Sequence, residues 1–205
     1  MKRIAVVGCK GRMGRLITKE LQKDFDVAGV GCEDCLEDVK SIDLVVDFSS
    51  HEMSLKSAEF CRRENIPMIL GTTGQSEEEL KKIEEISKHI KIIKKANFSR
   101  GMRVLEKFIE TVLELKPQKF EIIEKHHKNK KDSPSGTAIE LENFIKERFD
   151  GEVQIKSFRE GDEMGEHRII AFIGDEKLEI KHNALSRNIF VLGVVQEVKK
   201  LLNMT

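Results

Sequence analysis

Residues 124–138 read EKHHKNKKDSPSGTA, two adjacent histidines and four lysines followed at once by Ser-Pro-Ser-Gly-Thr. His126 and His127 carry imidazoles that titrate near neutrality and can serve as acid or hydrogen-bond donor. Lys130 is a compact charge on a flexible stem whose pKa can fall when it is desolvated or crowded by other cations, which suits a proton donor. Thr137 and Glu140 have the spacing of a capping box, so the stretch from about 138 to 149, with apolar Ile139, Leu141 and Phe144, reads as a helix. N–H groups near Gly136 and Thr137 then point out of a helix N-terminus, and Gly136 lets an anion approach the backbone. The chemistry on offer is proton transfer beside a carboxylate site. The same residues also fit a plainer arrangement of solvated lysines, a histidine pair at a strand end, and Ser/Thr with Pro capping a helix. Lys128 and Lys131 fit the solvated role better.

A second chemical signal is Gly8-Cys9-Lys10-Gly11-Arg12-Met13-Gly14. It follows a strand and opens a helix, the setting in which a glycine loop lets backbone N–H groups meet a pyrophosphate. Gly71-Thr72-Thr73-Gly74, after another apolar run, is a hydroxyl-bearing loop of the same kind; by itself either loop is also compatible with a simple tight turn. Asp47, at the end of a strand, either shapes the cofactor crevice or caps a turn.

These residues need a frame. The runs IAVV (4–7), VAGV (27–30), IDLVVDF (42–48), IPMIL (66–70) and IKII (90–93) alternate with helical patterns, one of them opened by a Ser76-x-x-Glu79 capping box. Such alternation predicts a Rossmann-like parallel sheet with crossover helices. A helix over about 102–115, with Val104, Leu105, Phe108, Ile109 and Val112 at helical spacing, links it to a second half. There KFEIIEKHH, EVQIKSF, HRIIAFIG and KLEIKHNA read as strands of a mixed or antiparallel sheet, and IFVLGVVQEVKKLL as a closing helix that packs back on the first domain. The expected organisation is α/β with an α+β second domain: 1–99 plus 185–205, then 100–184.

Composition removes other classes. Thirty-six Lys+Arg balance thirty-six Asp+Glu, and the chain has neither Trp nor Tyr. There is no global field for a nucleic-acid backbone and no stacking platform, so no nucleic-acid partner is expected. No apolar run approaches a membrane span and no signal cleavage site is visible, so the expectation is a cytoplasmic protein without a membrane partner. Cys32 and Cys35 have C-x-x-C spacing, but no second pair completes a metal site and the two acidic residues between them disfavour thiolates, so no metal is expected.

Taken in order, GCKGRMG (8–14), VVDFSS (45–50), LGTTG (70–74), ANFSRG (96–101), EKHHKNKKDSPSGTA (124–138), GDEMGEH (161–167) and LEIKHNALSR (178–187) resemble the 4-hydroxy-tetrahydrodipicolinate reductase family, also called dihydrodipicolinate reductase. The family pattern H-H-x-x-K-x-D-x-P-S-G-T is met by His126, His127, Lys130, Asp132, Pro134, Ser135, Gly136 and Thr137. The resemblance implies NADH- or NADPH-dependent reduction of a cyclic imine dicarboxylate by a homotetramer whose second domain binds substrate and supports assembly. It implies that Gly8, Cys9, Lys10, Gly11, Arg12 and Met13 hold the cofactor pyrophosphate, and that Gly71, Thr72, Thr73, Ala96, Asn97 and Phe98 line the nicotinamide side. His126 and Lys130 take the proton-transfer positions, and His127, Ser135, Gly136 and Thr137 bind substrate. Arg159, His167, His182 and Arg187 lie in or beside matching segments and position substrate or pack between subunits. The connection over 31–42 is abbreviated: Cys32 stands where relatives commonly carry the ribose-binding acid, and Glu33 where some carry an arginine. Glu33 opposes a 2′-phosphate while Lys10 and Arg12 attract one, so use of both cofactors with a mild preference for NADH is expected. Two other readings compete, another Rossmann imine dehydrogenase such as an aspartate dehydrogenase, and a non-catalytic nucleotide-sensing protein. The histidine-lysine motif argues against the first, and retention of both His126 and Lys130 against the second.

Overall fold

The computed structural model describes residues 1–31 and 34–204, which divide into two compact units, Met1–Phe98 with Phe190–Thr205, and Ser99–Ile189. The first unit runs β1 (Arg3–Val7), α1 (Arg12–Leu21), β2 (Asp26–Val30), a 3-10 turn (Leu36–Asp38), β3 (Leu44–Asp47), α2 (His51–Glu64), β4 (Met68–Leu70), α3 (Glu77–Ser87) and β5 (Ile92–Lys94). All five strands are parallel, in the order β2-β1-β3-β4-β5. Each connection between neighbouring strands is therefore a crossover, and crossovers place helices on both faces.

That topology explains why β1, β3 and β4 are uninterrupted apolar runs. Ala5, Val7, Val45, Met68 and Leu70 face a core shared with Ala58 and Phe60 of α2 and Ile83 and Ile86 of α3. Ile4, Val6, Leu44, Val46 and Ile69 face the other way, against Ile17 and Leu21 of α1 and Val191, Val194 and Val198 of α6 (Asn188–Leu201). The expected capping box at α3 is present, with Glu79 N–H donating to Ser76 Oγ and Ser76 N–H to Glu79.

The second unit begins with α4 (Arg100–Leu113), followed by β6 (Lys119–His126), α5 (Gly136–Lys146), β7 (Glu152–Arg159), β8 (Glu166–Ile173) and β9 (Glu176–Asn183). Its sheet has the order β7-β6-β8-β9; β6 and β7 are parallel and joined through α5, and the other two pairings are antiparallel. The mixed sheet matches the sequence expectation. Met102, Leu105, Ile109 and Val112 of α4 and Ala138, Leu141 and Ile145 of α5 form one core with Phe120, Ile122, Ile169 and Ala171. Val104, counted from the sequence on the apolar face of α4, is 56% exposed, and Ile139 of α5 is 42% exposed. β6 alternates strictly, so Glu124 and His126 share the inward face of Phe120 and Ile122. Register with the core is what buries these two polar side chains.

Helix α5 is capped two residues earlier than the capping box expected at Thr137. Its N-cap is Ser135, whose Oγ accepts from the Ala138 N–H at 3.3 Å, and Thr137 lies inside the helix. Ser133–Pro134 is cis, and Ser135 is the first position after this pair with the extended φ and ψ that a cap requires.

At α6, helix propensity and packing oppose each other. A Cβ at Gly193 would lie 1.7 Å from the Phe98 carbonyl oxygen. Gly→Ala inside a helix favours folding by up to about 1 kcal/mol, whereas overpacking a close contact costs about 1–3 kcal/mol. Packing wins, so Gly193→Ala is expected to destabilise the protein by about 1–2 kcal/mol in urea unfolding; increased stability would show that the helix can withdraw freely.

Candidate active site

In a parallel sheet the loops after β1, β3, β4 and β5 all leave the same edge, and there the first unit gathers its glycines and hydroxyls. Gly8 has φ +80°, and a Cβ on it would lie 2.4 Å from the Phe48 carbonyl oxygen. A Cβ at Gly14 would lie 2.1 Å from the Gly8 carbonyl oxygen, so these two glycines let the turn close against helix α1. The Gly11 N–H donates to that carbonyl at 2.9 Å. Gly11 caps α1 with no side-chain hydrogen bond, and the first turn has no acidic residue. An uncapped N-terminus flanked by Lys10 and Arg12 fits a phosphate group. Cys9 and Met13 instead pack against the apolar core beneath the loop.

The other residues expected at a cofactor divide in the same way. Asp47 is fully buried at the end of β3 and accepts from Thr72 Oγ1 (2.7 Å), Ser57 Oγ (2.6 Å), and Ser49 through both Oγ (2.7 Å) and N–H (3.1 Å). Thr72 is turned inward to this carboxylate, whereas Thr73 is exposed. The Gly71 N–H donates to the Asp47 carbonyl at 2.9 Å, fixing the start of the loop. Ala96 and Asn97 follow β5, and Phe98 is buried against Phe48 with ring centroids 5.8 Å apart. Cys32 and Glu33 lie outside the described residues. Beside them is an acid that the sequence reading passed over: Asp34 accepts the Gly31 N–H at 2.6 Å, directly after β2. Lys10 reaches the same point, since a Cβ on Gly31 would be 2.9 Å from both Lys10 Cε and the Asp34 carboxylate. Cys35 is exposed, and a hydrogen bond to Glu37 raises its thiol pKa, while burial pushes Cys61 to about 12. Neither is an activated thiolate.

In the second unit Glu124 is the centre, and the sequence reading missed it. It is fully buried. One oxygen accepts from Arg159 Nη2 at 2.7 Å and from the Ser135 N–H at 3.2 Å; the other meets His126 Nδ1 at 2.5 Å. Burial works against ionisation, but hydrogen bonds from Arg159, Ser157 and His126 outweigh it and hold the carboxyl down at about 2. An ionised carboxylate only accepts, so His126 Nδ1 carries the proton. Burial lowers the pKa of His126 more than Glu124 raises it, and Lys130 and Arg159 push the same way as burial. His126 is therefore neutral at pH 7, with its lone pair on Nε2. That nitrogen faces Gly165, where a Cβ would lie only 2.9 Å away.

Lys130, 24% exposed, pairs with Asp132 at 2.8 Å, and the Asp132 carbonyl accepts from Arg159 Nη2 at 2.6 Å. Arg159 thus joins the loop bearing Lys130 to the carboxylate that holds His126. His167 lies opposite, its ring 5.2 Å from that of His126 and its Nε2 3.3 Å from Ser135 Oγ. The Ser135 hydroxyl, which accepts from the Ala138 N–H, pairs with His167 Nε2, and His167 Nδ1 is buried with no partner among the described residues. Burial, followed by the neighbouring His126, drives the pKa of His167 down to about 3. His182 repeats the arrangement, with Nε2 3.2 Å from Ser99 Oγ at the N-cap of α4. Side-chain atoms of Glu124, His126 and His167 come close enough together to share a cation. A metal there would sit beside the Arg159 guanidinium and displace His126 from its carboxylate, so the chemistry of this set fits a proton-handling network better than a metal centre.

The structure therefore gathers His126, Lys130, Ser135, Gly136 and Thr137 around the start of α5. His127 lies at the end of β6, its N–H donating to the Glu163 carbonyl at 2.8 Å. One signal in the sequence pointed to a hidden partner, since strand alternation placed Glu124 in phase with His126; the parallel pairing that sets Arg159 opposite His126 is visible only in the structure.

Comparison with known proteins accords with this geometry. Residues 25–98 match the family model described as dihydrodipicolinate reductase, N-terminus, and 101–205 that described as dihydrodipicolinate reductase, C-terminus. A Clostridium tetani protein named 4-hydroxy-tetrahydrodipicolinate reductase is 40% identical, with 96% of this chain and 90% of that protein covered. Among solved structures, a dipicolinate-bound dihydrodipicolinate reductase from Paenisporosarcina sp. TG-14 superposes with TM-score 0.76 at 20% identity, covering 100% of this chain and 96% of the other. An aspartate dehydrogenase from Thermotoga maritima gives TM-score 0.67 at 10% identity, covering 98% and 97%. The fold is thus common to more than one dehydrogenase, and family membership rests on sequence: matched in order by the models of both domains and by a close full-length relative, the chain belongs to the dihydrodipicolinate reductase family.

Proposed function

We propose that the chain reduces 4-hydroxy-tetrahydrodipicolinate with NADH or NADPH to tetrahydrodipicolinate, a step of lysine and diaminopimelate biosynthesis. Substrate, reduced cofactor and one proton give product, oxidised cofactor and water. The observation that carries this reading is the meeting of His126, Lys130 and the start of α5 around one buried carboxylate, within a chain of this family. A nicotinamide cofactor supplies the hydride when bound, and the uncapped start of α1 with Gly8, Gly11, Lys10 and Arg12 is the part of the first unit suited to its pyrophosphate.

In the second unit each residue has a physical task. The start of α5 at Gly136 and Thr137, where the Gly136 N–H meets the Asp132 carboxylate until substrate takes that place, receives a substrate carboxylate, with the Ser135 cap alongside and His127 as a further donor. The Lys130 ammonium gives the proton that balances hydride arrival. His126 offers Nε2 to the same substrate. The sheet face away from α4 and α5 supports assembly into a homotetramer: it carries Ile123, Ile170 and Phe172 among ion pairs such as Lys156–Glu121 and Arg168–Glu179, and its alternating charges suit a second copy. No helix among the described residues is long and apolar enough to cross a membrane; the small-molecule chemistry of the family is the ground for proposing a cytoplasmic role without a nucleic-acid partner.

Aspartate semialdehyde and pyruvate, supplied with the preceding synthase, test the activity through loss of the reduced cofactor's absorbance. Cofactor oxidation only in the complete mixture is expected; no oxidation there, or turnover of L-aspartate with oxidised cofactor instead, would remove this reading. Lys130→Ala should lower kcat by about 10²-fold or more with unchanged folding, and near-normal turnover would end its assignment as proton donor. Pyridine-2,6-dicarboxylate should inhibit competitively, and Gly136→Val should weaken that inhibition by blocking the helix N-terminus; an unchanged inhibition constant counts against the site. For the cofactor, Glu33 and Asp34 disfavour a 2′-phosphate that Lys10 and Arg12 attract. A preference for NADH of about fivefold in kcat/KM is expected, on the order of 1 kcal/mol, with Glu33→Arg moving it toward NADPH. A clear NADPH preference in the unaltered protein, or no gain from the substitution, would show that Glu33 does not face the ribose.

A further inference from the structure

Resting on the proposed reaction, we infer that Glu124, counter-charged by Arg159, is the positioning residue that sets which nitrogen His126 presents to substrate and locks both proton-transfer side chains to the start of α5. Three connections carry this. Glu124 takes the Nδ1–H of His126 on one oxygen and the Ser135 N–H on the other, so one rigid carboxylate aligns the imidazole with the helix N-terminus. Arg159 holds that second oxygen and, through the same Nη2, the Asp132 carbonyl; Asp132 in turn pairs with Lys130. His126 and Arg159 stand opposite each other in the parallel pairing of β6 and β7, so backbone register fixes the arrangement.

The consequence for His126 is directional. With the proton on Nδ1, its Nε2 accepts a hydrogen bond from substrate and has no proton to give at neutral pH, which leaves Lys130 as the donor of the one proton the reaction consumes. A proton arriving at Nε2 makes an imidazolium beside a buried carboxylate, in the manner of hydrolase triads in which an acid orients a histidine without itself becoming protonated.

Glu124→Gln is the informative variant because it keeps the shape. Its amide oxygen can still accept from Arg159 and Ser135, while its NH₂ must face His126 Nδ1 and so demands the opposite tautomer. The expected result is a fall in kcat of about 10²-fold with KM for the dicarboxylate changed much less, and partial recovery in Glu124→Asp. The pH profile supplies a second reading. The groups facing His126 are Glu124 on its own strand, Lys130 in the following loop, Arg159 on β7 and His167 on β8. Removing that carboxylate leaves the two cations opposing protonation, so the acid limb of kcat/KM moves to lower pH; a purely structural role would lower amplitude without moving the limb.

A third reading does not need the reaction. In ¹⁵N-histidine-labelled protein near pH 7.5, with His126 assigned by the loss of its signals in His126→Gln, Nδ1 should be protonated and Nε2 pyridine-like, and the pattern should reverse in Glu124→Gln. If the protein does not reduce 4-hydroxy-tetrahydrodipicolinate, the functional reading fails while this spectrum still decides the role of Glu124. A protonated Nε2 in the unaltered protein overturns the inference, whether or not Glu124→Gln folds. So does a Glu124→Gln protein with unchanged tautomer and an unshifted acid limb.

Discussion

A carboxylate taken wholly out of water must be paired, because an unpaired ion in the interior costs far more than a domain's margin of stability can absorb. Glu124 sits in that position, and the second unit is arranged around its compensation. Arg159 supplies charge, Ser135 supplies the cap of α5, and His126 supplies a donor whose tautomer is thereby decided. Take the acid away and the guanidinium loses its counter-ion, the helix start loses an anchor, and His126 loses the acceptor that fixes its Nδ1 proton. Stability and chemistry depend here on the same few atoms.

The first unit solves the same problem with neutral groups. Asp47 is as deeply buried as Glu124, yet its donors among the described residues are hydroxyls and one backbone N–H, from Ser49, Ser57 and Thr72. This ties the ends of β3 and β4 to each other and to α2. The carboxylate is thereby engaged in shaping the edge from which the glycine loops emerge, and it is not poised for proton transfer. Two buried acids in one chain thus take different roles, decided by whether their donors are charged, titratable or inert.

Histidines at helix caps form a second theme. His167 and His182 stand opposite each other across β8 and β9, and each directs Nε2 to the serine that caps a helix, α5 or α4. Burial keeps both below their ordinary pKa, so both are neutral, and each serine hydroxyl accepts from a helix N–H while pairing with the imidazole. The start of α5 is thereby held from two sides, by Glu124 at the backbone and by His167 at the hydroxyl.

How much of this could be read in the chain alone depends on how local the cause is. The parallel sheet was legible because burial on both faces demands continuous apolar runs, and β1, β3 and β4 have them. The Ser76–Glu79 capping box and the glycine loop are likewise local, set by residues within a turn of one another. The N-cap of α5 lies two residues before Thr137: Ser135 and Thr137 both suit a cap by residue type, and Ser135 is the one whose backbone is extended and whose Oγ accepts the Ala138 N–H. The histidine-lysine motif implied by resemblance which side chains would meet a substrate, yet it gave no reason for their protonation. That reason lies in Arg159, 35 residues from Glu124, and in His167, 32 residues from Ser135. Sequence determined which elements form and which faces are apolar, since periodicity and capping act over a few residues. Tertiary structure alone decided which buried acid pairs with which base, because that pairing follows from strand register between segments far apart in the chain, and from the cost of leaving any one of them unpaired.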